Sequence, residues 1–157
     1  ALTSDSNLFQ KRTIHMFDSF EGFPRLSIND PSDREDDFKN NSYKNIKIHF
    51  SKYSNIKIHK GFFNETLKNV KDTKFSFIYY DADLYEPLMD VCETLYRKMD
   101  YGSILLFHDC CSKDYNLPPG ASKPFTGVVR GIEDFFKSKD VDIIKFEATT
   151  HWLIIKN

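Results

Sequence analysis

The chain has 157 residues, 40% hydrophobic and 15% aromatic, with a formal net charge of −1 and a pI ≈ 6.6. That length fits one domain with a sizeable core, and the near-neutral balance removes the electrostatic case for a nucleic-acid partner. No apolar run approaches the ~20 residues of a membrane span, and Ala1-Leu2-Thr3-Ser4-Asp5 has neither the basic start nor the apolar run of a signal peptide, so no membrane partner is expected.

In chain order, residues 13–17 read as a short strand ending at Asp18-Ser19-Phe20-Glu21-Gly22-Phe23-Pro24. Residues 27–45 turn polar, with Pro31 and the acid run Asp33-Arg34-Glu35-Asp36-Asp37, which reads as a solvated surface excursion leading into a helix. Asn-Ile-Lys-Ile-His occurs at 45–49 and again at 55–59. The second copy reads as a strand, because Ile56 and Ile58 alternate ahead of Gly61. The first is ambiguous, and helix is favoured because Ile46, Phe50 and Tyr53 share a helical face.

Two apolar runs then end in acid. Phe75-Ser76-Phe77-Ile78-Tyr79-Tyr80 precedes Asp81-Ala82-Asp83, and Ile104-Leu105-Leu106-Phe107 precedes His108-Asp109. Both read as buried strands of a parallel sheet. Between them Leu84, Leu88, Val91, Cys92, Leu95, Tyr96 and Met99 recur at helical spacing, with Pro87 in the opening turn and Gly102 past the end. A loop at 112–124 leads to a second amphipathic helix carrying Val128, Val129, Ile132, Phe135 and Phe136. Strands at 142–147 and 152–155 form a hairpin. The alternation predicts an α/β fold with a mostly parallel sheet, helices on both faces and a closing antiparallel strand.

Parallel strands present their carboxyl ends to one crevice, so Asp81, Asp83, His108 and Asp109 should converge. Asp81 and Asp109 suit Mg²⁺ or a similar cation. His108 is a tolerable third ligand that moves the preference towards Mn²⁺, Fe²⁺ or Zn²⁺. Asp83 suits three roles: ligand, general base or helix cap. Asp18 is a candidate acceptor for ribose hydroxyls. His151 is placed to line the site, but a surface or half-buried histidine is the favoured reading. Glycines form neither G-x-G-x-x-G nor a P-loop, which argues against dinucleotides and ATP. Cys92, Cys110 and Cys111 read as reduced thiols of a cytoplasmic protein, not as a disulfide framework or half of a zinc site. An apolar strand followed by Asp-x-Asp also fits a metal-dependent nucleotide-sugar glycosyltransferase.

Three linked motifs carry a resemblance: Phe17-Asp18-Ser19-Phe20-Glu21-Gly22-Phe23-Pro24, Lys60-Gly61-Phe62-Phe63-Asn64-Glu65-Thr66-Leu67 and Asp81-Ala82-Asp83-Leu84-Tyr85-Glu86-Pro87. In this order and spacing they resemble the macrocin O-methyltransferase family, S-adenosylmethionine-dependent enzymes that methylate sugar hydroxyls of natural products. The resemblance implies a Rossmann-like class I methyltransferase sheet and a small-molecule hydroxyl acceptor, a sugar. It places Asp18 and Ser19 at the cofactor ribose, Gly61 and Phe62 beside the adenine, and Asp83 as the general base. Asp81, His108 and Asp109 would be the metal set, with Mg²⁺ as the family's cation. The family usually has two consecutive Asp where this chain has His108-Asp109, which keeps a metal-independent reading open.

In that fold the first strand lies mid-sheet and bears a glycine-rich turn. Here Leu8 and Phe9 look like the end of the helix after it. Residues 1–157 are therefore expected to be a single methyltransferase domain incomplete at its N-terminus, with unpaired backbone that favours a homo-oligomer or a strand from another chain. The glycosyltransferase reading accounts for neither Asp18-Ser19-Phe20-Glu21-Gly22 nor Asp109. A non-catalytic methyltransferase-fold module is the third reading. The acceptor pocket is expected from loops, here residues 27–41 and 112–124.

Overall fold

The computed structural model describes residues 12–30, 38, 41–70, 72–110, 126–146 and 149–157. The acid run at 33–37, Cys111, the 112–124 loop and the helix end at Leu8 and Phe9 lie outside the described residues. The elements in order are β1 (Ile14–Asp18), α1 (Tyr43–Phe50), β2 (Ile56–Lys60), α2 (Phe63–Thr66) with a 3₁₀ turn (Leu67–Val70), and β3 (Phe75–Tyr80). Then come α3 (Tyr85–Leu95) with a 3₁₀ turn (Tyr96–Lys98), β4 (Met99–Phe107), α4 (Thr126–Phe136), β5 (Ile143–Lys145) and β6 (Trp152–Ile155). Both copies of the repeated pentapeptide fold as expected, the first inside α1 and the second across β2. No described helix is long and apolar enough to cross a membrane.

The strands form two sheets, β1-β2 and β3-β4-β6-β5. β1 runs parallel to β2 and β3 parallel to β4, while β6 is antiparallel to both β4 and β5. β5 therefore runs with β3 and β4, and β6 alone is reversed. This is the mixed α/β layout of a Rossmann-like sheet with an antiparallel closing strand. Among the described residues no backbone ladder joins β1 to β3. Side chains cross the break instead: Arg12 Nη1 donates to Ser76 Oγ at 2.9 Å, and the His15 and Phe75 rings meet edge to face at 5.8 Å.

Two details of the sequence reading need correction. Met99 does not end the helix; the chain turns through Tyr96–Lys98 and Met99 opens β4, buried at 4% exposure. A residue buried in a strand satisfied the helical spacing as well as one buried on a helix would. Gly102 lies inside β4, not past a helix. There the register slips, Phe75 pairing with Met99 but Phe77 with Ile104, and Gly102 carries φ +78 at the slip. A Cβ there would meet nothing within 4 Å, so backbone conformation demands glycine, not space.

The core lies under one face of the four-stranded sheet. Ile78, Tyr80, Leu105, Phe107, Trp152 and Ile154 point to that face and pack against Leu88, Val91, Cys92 and Leu95 of α3 and Val128, Ile132 and Phe136 of α4. Each such fully buried side chain contributes roughly 1.5–3 kcal/mol. Helices were expected on both faces; among the described residues the other face is largely bare. Phe77, Tyr79, Ile144 and Ile155 alternate onto it at 54%, 46%, 42% and 42% exposure.

Candidate active site

The described site lies at the carboxyl ends of β1–β4. Asp18 closes β1, paired in register with Lys60 at the end of β2. Its Oδ1 accepts from Phe20 N–H at 2.6 Å, an Asx-type turn, and its carbonyl accepts from Gly61 N–H at 3.1 Å. That second bond joins two of the three sequence motifs. Ser19 Oγ donates to the Gly22 carbonyl at 2.6 Å and accepts from Glu21 N–H at 3.1 Å, so this hydroxyl builds the turn. Gly61 has φ +130, and a Cβ would stand 3.0 Å from Thr66 Cγ2, so a side chain here would be strained in backbone and tight in space. Phe62 caps α2 through its carbonyl, which accepts from Glu65 N–H and from the N–H and Oγ1 of Thr66. Asp18 also lines a cavity of ≈ 410 Å³ with Phe20, Asn41, Ser42, Asn45 and Ile46.

The acid motifs meet because β3 and β4 are neighbours. Their ladder continues one step beyond the strands, His108 N–H donating to the Tyr80 carbonyl at 2.9 Å, which sets His108 beside Asp81. Donor atoms of Asp81, His108 and Asp109 all lie within 4.8 Å of one another. His108 Nδ1 is 2.8 Å from Asp81 Oδ1 and 3.1 Å from Asp109 Oδ2. Neither contact has the direction of a hydrogen bond, and the buried nitrogen is left unsatisfied. A proton on Nδ1 would seek a line to one oxygen; a bare lone pair would be repelled by both. A cation among the three donors relieves both problems, so these residues fit a metal ion. Asp109 is held with φ +54, a strained backbone for a non-glycine residue.

Asp83 differs from Asp81 in its setting. It sits at φ +63, and Leu84 N–H donates across it to the Ala82 carbonyl at 2.7 Å, a γ-turn of the strained kind. Its exposure is 8%, whereas Asp81 is exposed. The N-cap of α3 is Leu84, one residue past Asp83, with no side-chain capping bond of its own. A side chain from another loop does reach the first turn of α3. Asp30, on the loop after β1, accepts from Tyr85 N–H with Oδ1 at 2.9 Å, while Oδ2 accepts from Ser27 N–H at 3.1 Å and Ser27 Oγ at 2.6 Å.

Two residues near the site, Asp30 and Tyr79, escaped the sequence reading, and His151, read there as surface or half-buried, is half-buried beside them. Asp30 bonds to Tyr85, 55 positions away, and no local pattern announces such a contact. Tyr79 and His151 approach across the sheet, Tyr79 Oη and His151 Nε2 being 3.4 Å apart with the rings stacked. The His151 ring lies 4.7 Å from that of His108, because Cys110 N–H donates to the Thr150 carbonyl and brings the last hairpin to the end of β4. Burial, then the Asp81 and Asp109 carboxylates, push the Tyr79 phenol above its ordinary range. Cys92 and Cys110 are buried, and neither belongs to the metal cluster.

Residues 2–119 match the macrocin-O-methyltransferase (TylF) family. A mycinamicin III 3''-O-methyltransferase of Micromonospora griseorubida is 26% identical over 113 residues, covering 64% of this chain and 44% of that protein. The chain thus spans less than half the length of that relative. Among solved structures, the O-methyltransferase NovP is similar at TM-score 0.65 and 20% identity, with 93% of this chain and 60% of that one covered. The calicheamicin methyltransferase CalS11 follows at TM-score 0.70 and 17% identity, with 93% and 61% covered. An O-methyltransferase from Bacillus cereus in complex with SAH aligns at TM-score 0.53 and 14% identity, over 95% and 77%. These likenesses establish the fold, and the match over 2–119 establishes that the chain belongs to the macrocin-O-methyltransferase family.

Proposed function

We propose that this chain is the cofactor- and acid-bearing domain of an S-adenosylmethionine-dependent O-methyltransferase that methylates a sugar hydroxyl, assisted by a divalent cation. The observation that carries the reading is the meeting of Asp81, His108 and Asp109 at the strand ends of a chain of this family. The sugar acceptor is supported by the name of the mycinamicin relative. On this reading Asp18 accepts hydrogen bonds from the cofactor ribose, with Ser19 shaping that turn. Gly61 and Phe62 leave room for the adenine. The acceptor oxygen attacks the methyl carbon as the carbon–sulfur bond breaks, S-adenosylhomocysteine departs, and the hydroxyl proton passes to the Asp83 carboxylate. A cation held by Asp81, His108 and Asp109 would supply Lewis-acid polarisation and orientation of the acceptor oxygens. The 157 residues would form one methyltransferase domain, in which no described strand lies between β1 and β3.

Calorimetric titration of S-adenosylhomocysteine into the chain, with UDP as the competing probe, tests the reading. Saturable binding of S-adenosylhomocysteine that is lost in Asp18→Ala is expected. Asp83→Asn should lower methyl transfer by roughly 10²–10⁴-fold while leaving that binding intact. Stabilisation by UDP instead, or no S-adenosylhomocysteine binding by this chain and by a longer form containing it, would overturn the proposal.

A further inference from the structure

The donor atoms narrow the identity of the cation, an inference that rests on the methyltransferase reading for its purpose but not for its geometry. Two carboxylate oxygens and one imidazole nitrogen converge. Mg²⁺ takes oxygen donors and sheds water reluctantly, whereas imidazole suits first-row transition metals and affinity rises from Mn²⁺ through Co²⁺, with Zn²⁺ also tightly held. Ligands bound tetrahedrally at ~2.1 Å stand ~3.4 Å apart. The 2.8 and 3.1 Å nitrogen–oxygen separations therefore need only a small opening, and the two carboxylate oxygens lie within 4.8 Å of each other. The unsatisfied Nδ1 is the atom a magnesium site would not require. His151, its ring 4.7 Å away and its Nε2 near Tyr79 Oη, sets a second imidazole against the nitrogen ligand.

We infer that Asp81, His108 and Asp109 form a site for a transition-metal dication of the Zn²⁺ class, which Co²⁺ and Mn²⁺ can also occupy, and that the site discriminates against Mg²⁺ through His108 Nδ1. Three protein ligands leave coordination positions for acceptor oxygens or water, the pattern of catalytic and not structural zinc.

The test is calorimetric titration of Zn²⁺, Mn²⁺ and Mg²⁺ into the full chain, with Co²⁺ followed by its visible d–d absorption. Zn²⁺ should bind at least about tenfold more tightly than Mg²⁺, and His108→Ala should weaken Zn²⁺ by about tenfold or more. His108→Asp, an all-oxygen set, should erase the preference. Circular dichroism checks the fold of each variant, and the wild-type selectivity stands without them. Equal or tighter Mg²⁺ binding, no divalent binding, or Zn²⁺ affinity unchanged in a folded His108→Ala protein would each overturn the inference. S-adenosylhomocysteine titrated into the same samples separates the two claims. If it binds while Zn²⁺ shows no preference, the metal assignment alone falls. If it binds neither this chain nor a longer form containing it while Zn²⁺ depends on His108, the methyltransferase reading alone falls.

Discussion

Asp30 ties three segments with one carboxylate: its own loop through Ser27, the start of α3 through Tyr85, and α4 through the space that Gly127 leaves empty. A Cβ at Gly127 would stand 2.0 Å from Asp30 Oδ1 and 2.9 Å from Tyr85 N, so alanine must push the helix away or break the cap. Gly127→Ala should cost about 2–4 kcal/mol, from overpacking and an unsatisfied buried group. A thermal melt reads it as a clear fall in Tm; an unchanged Tm would mean that α4 slides freely. None of this was legible in sequence, since hydrogen bonds across 55 positions leave no local spacing. Asp81, His108 and Asp109 were legible because strand ends of neighbouring parallel strands have to share a crevice. The unsatisfied direction of His108 Nδ1 is a matter of ångströms and needed coordinates.

At the scale of elements, β1 and β2 carry a histidine pair. His15 Nδ1 and His59 Nε2 are 3.0 Å apart, with the rings stacked at 5.2 Å. Burial holds both below the ordinary 6.5; for His15 the neighbouring His59 and Lys57 add to this, and for His59 Lys57 does. Folded rings hold protons less tightly than unfolded ones, so unfolding takes up protons in acid. The stability is present above pH 6.5 and is lost as pH falls from there through the lower folded values. Melts at pH 7.5 and 5.5 should show a lower Tm at 5.5, and His15→Gln with His59→Gln should flatten that difference. An identical pH slope in the double variant would assign the acid sensitivity elsewhere. Strand and helix order was readable from periodicity, but periodicity reports burial and not its cause. That is why Met99, buried in β4, passed for a helical residue.

The whole molecule is unevenly built. Among the described residues every buried core hydrophobe lies at Leu67 or later, and no β1 or β2 residue is fully buried. Opening free energy follows local burial, so amide exchange should be faster throughout β1–β2 than in β3, β4 and β6. Uniform protection across both sheets would show that side-chain contacts such as Arg12–Ser76 couple them fully. The α/β class was legible from alternating runs. The expectation of a missing mid-sheet strand came from the family resemblance and not from alternation, and the bare face was not legible at all, because Phe77 and Tyr79 read as buried whether or not anything covers them. That face has a colloidal consequence. With a net charge of only −1, long-range repulsion is weak, and exposed Phe77, Tyr79, Ile144 and Ile155 on one sheet face make the average pair force attractive. Static light scattering should give a negative second virial coefficient, and Phe77→Lys with Ile155→Lys should drive it positive.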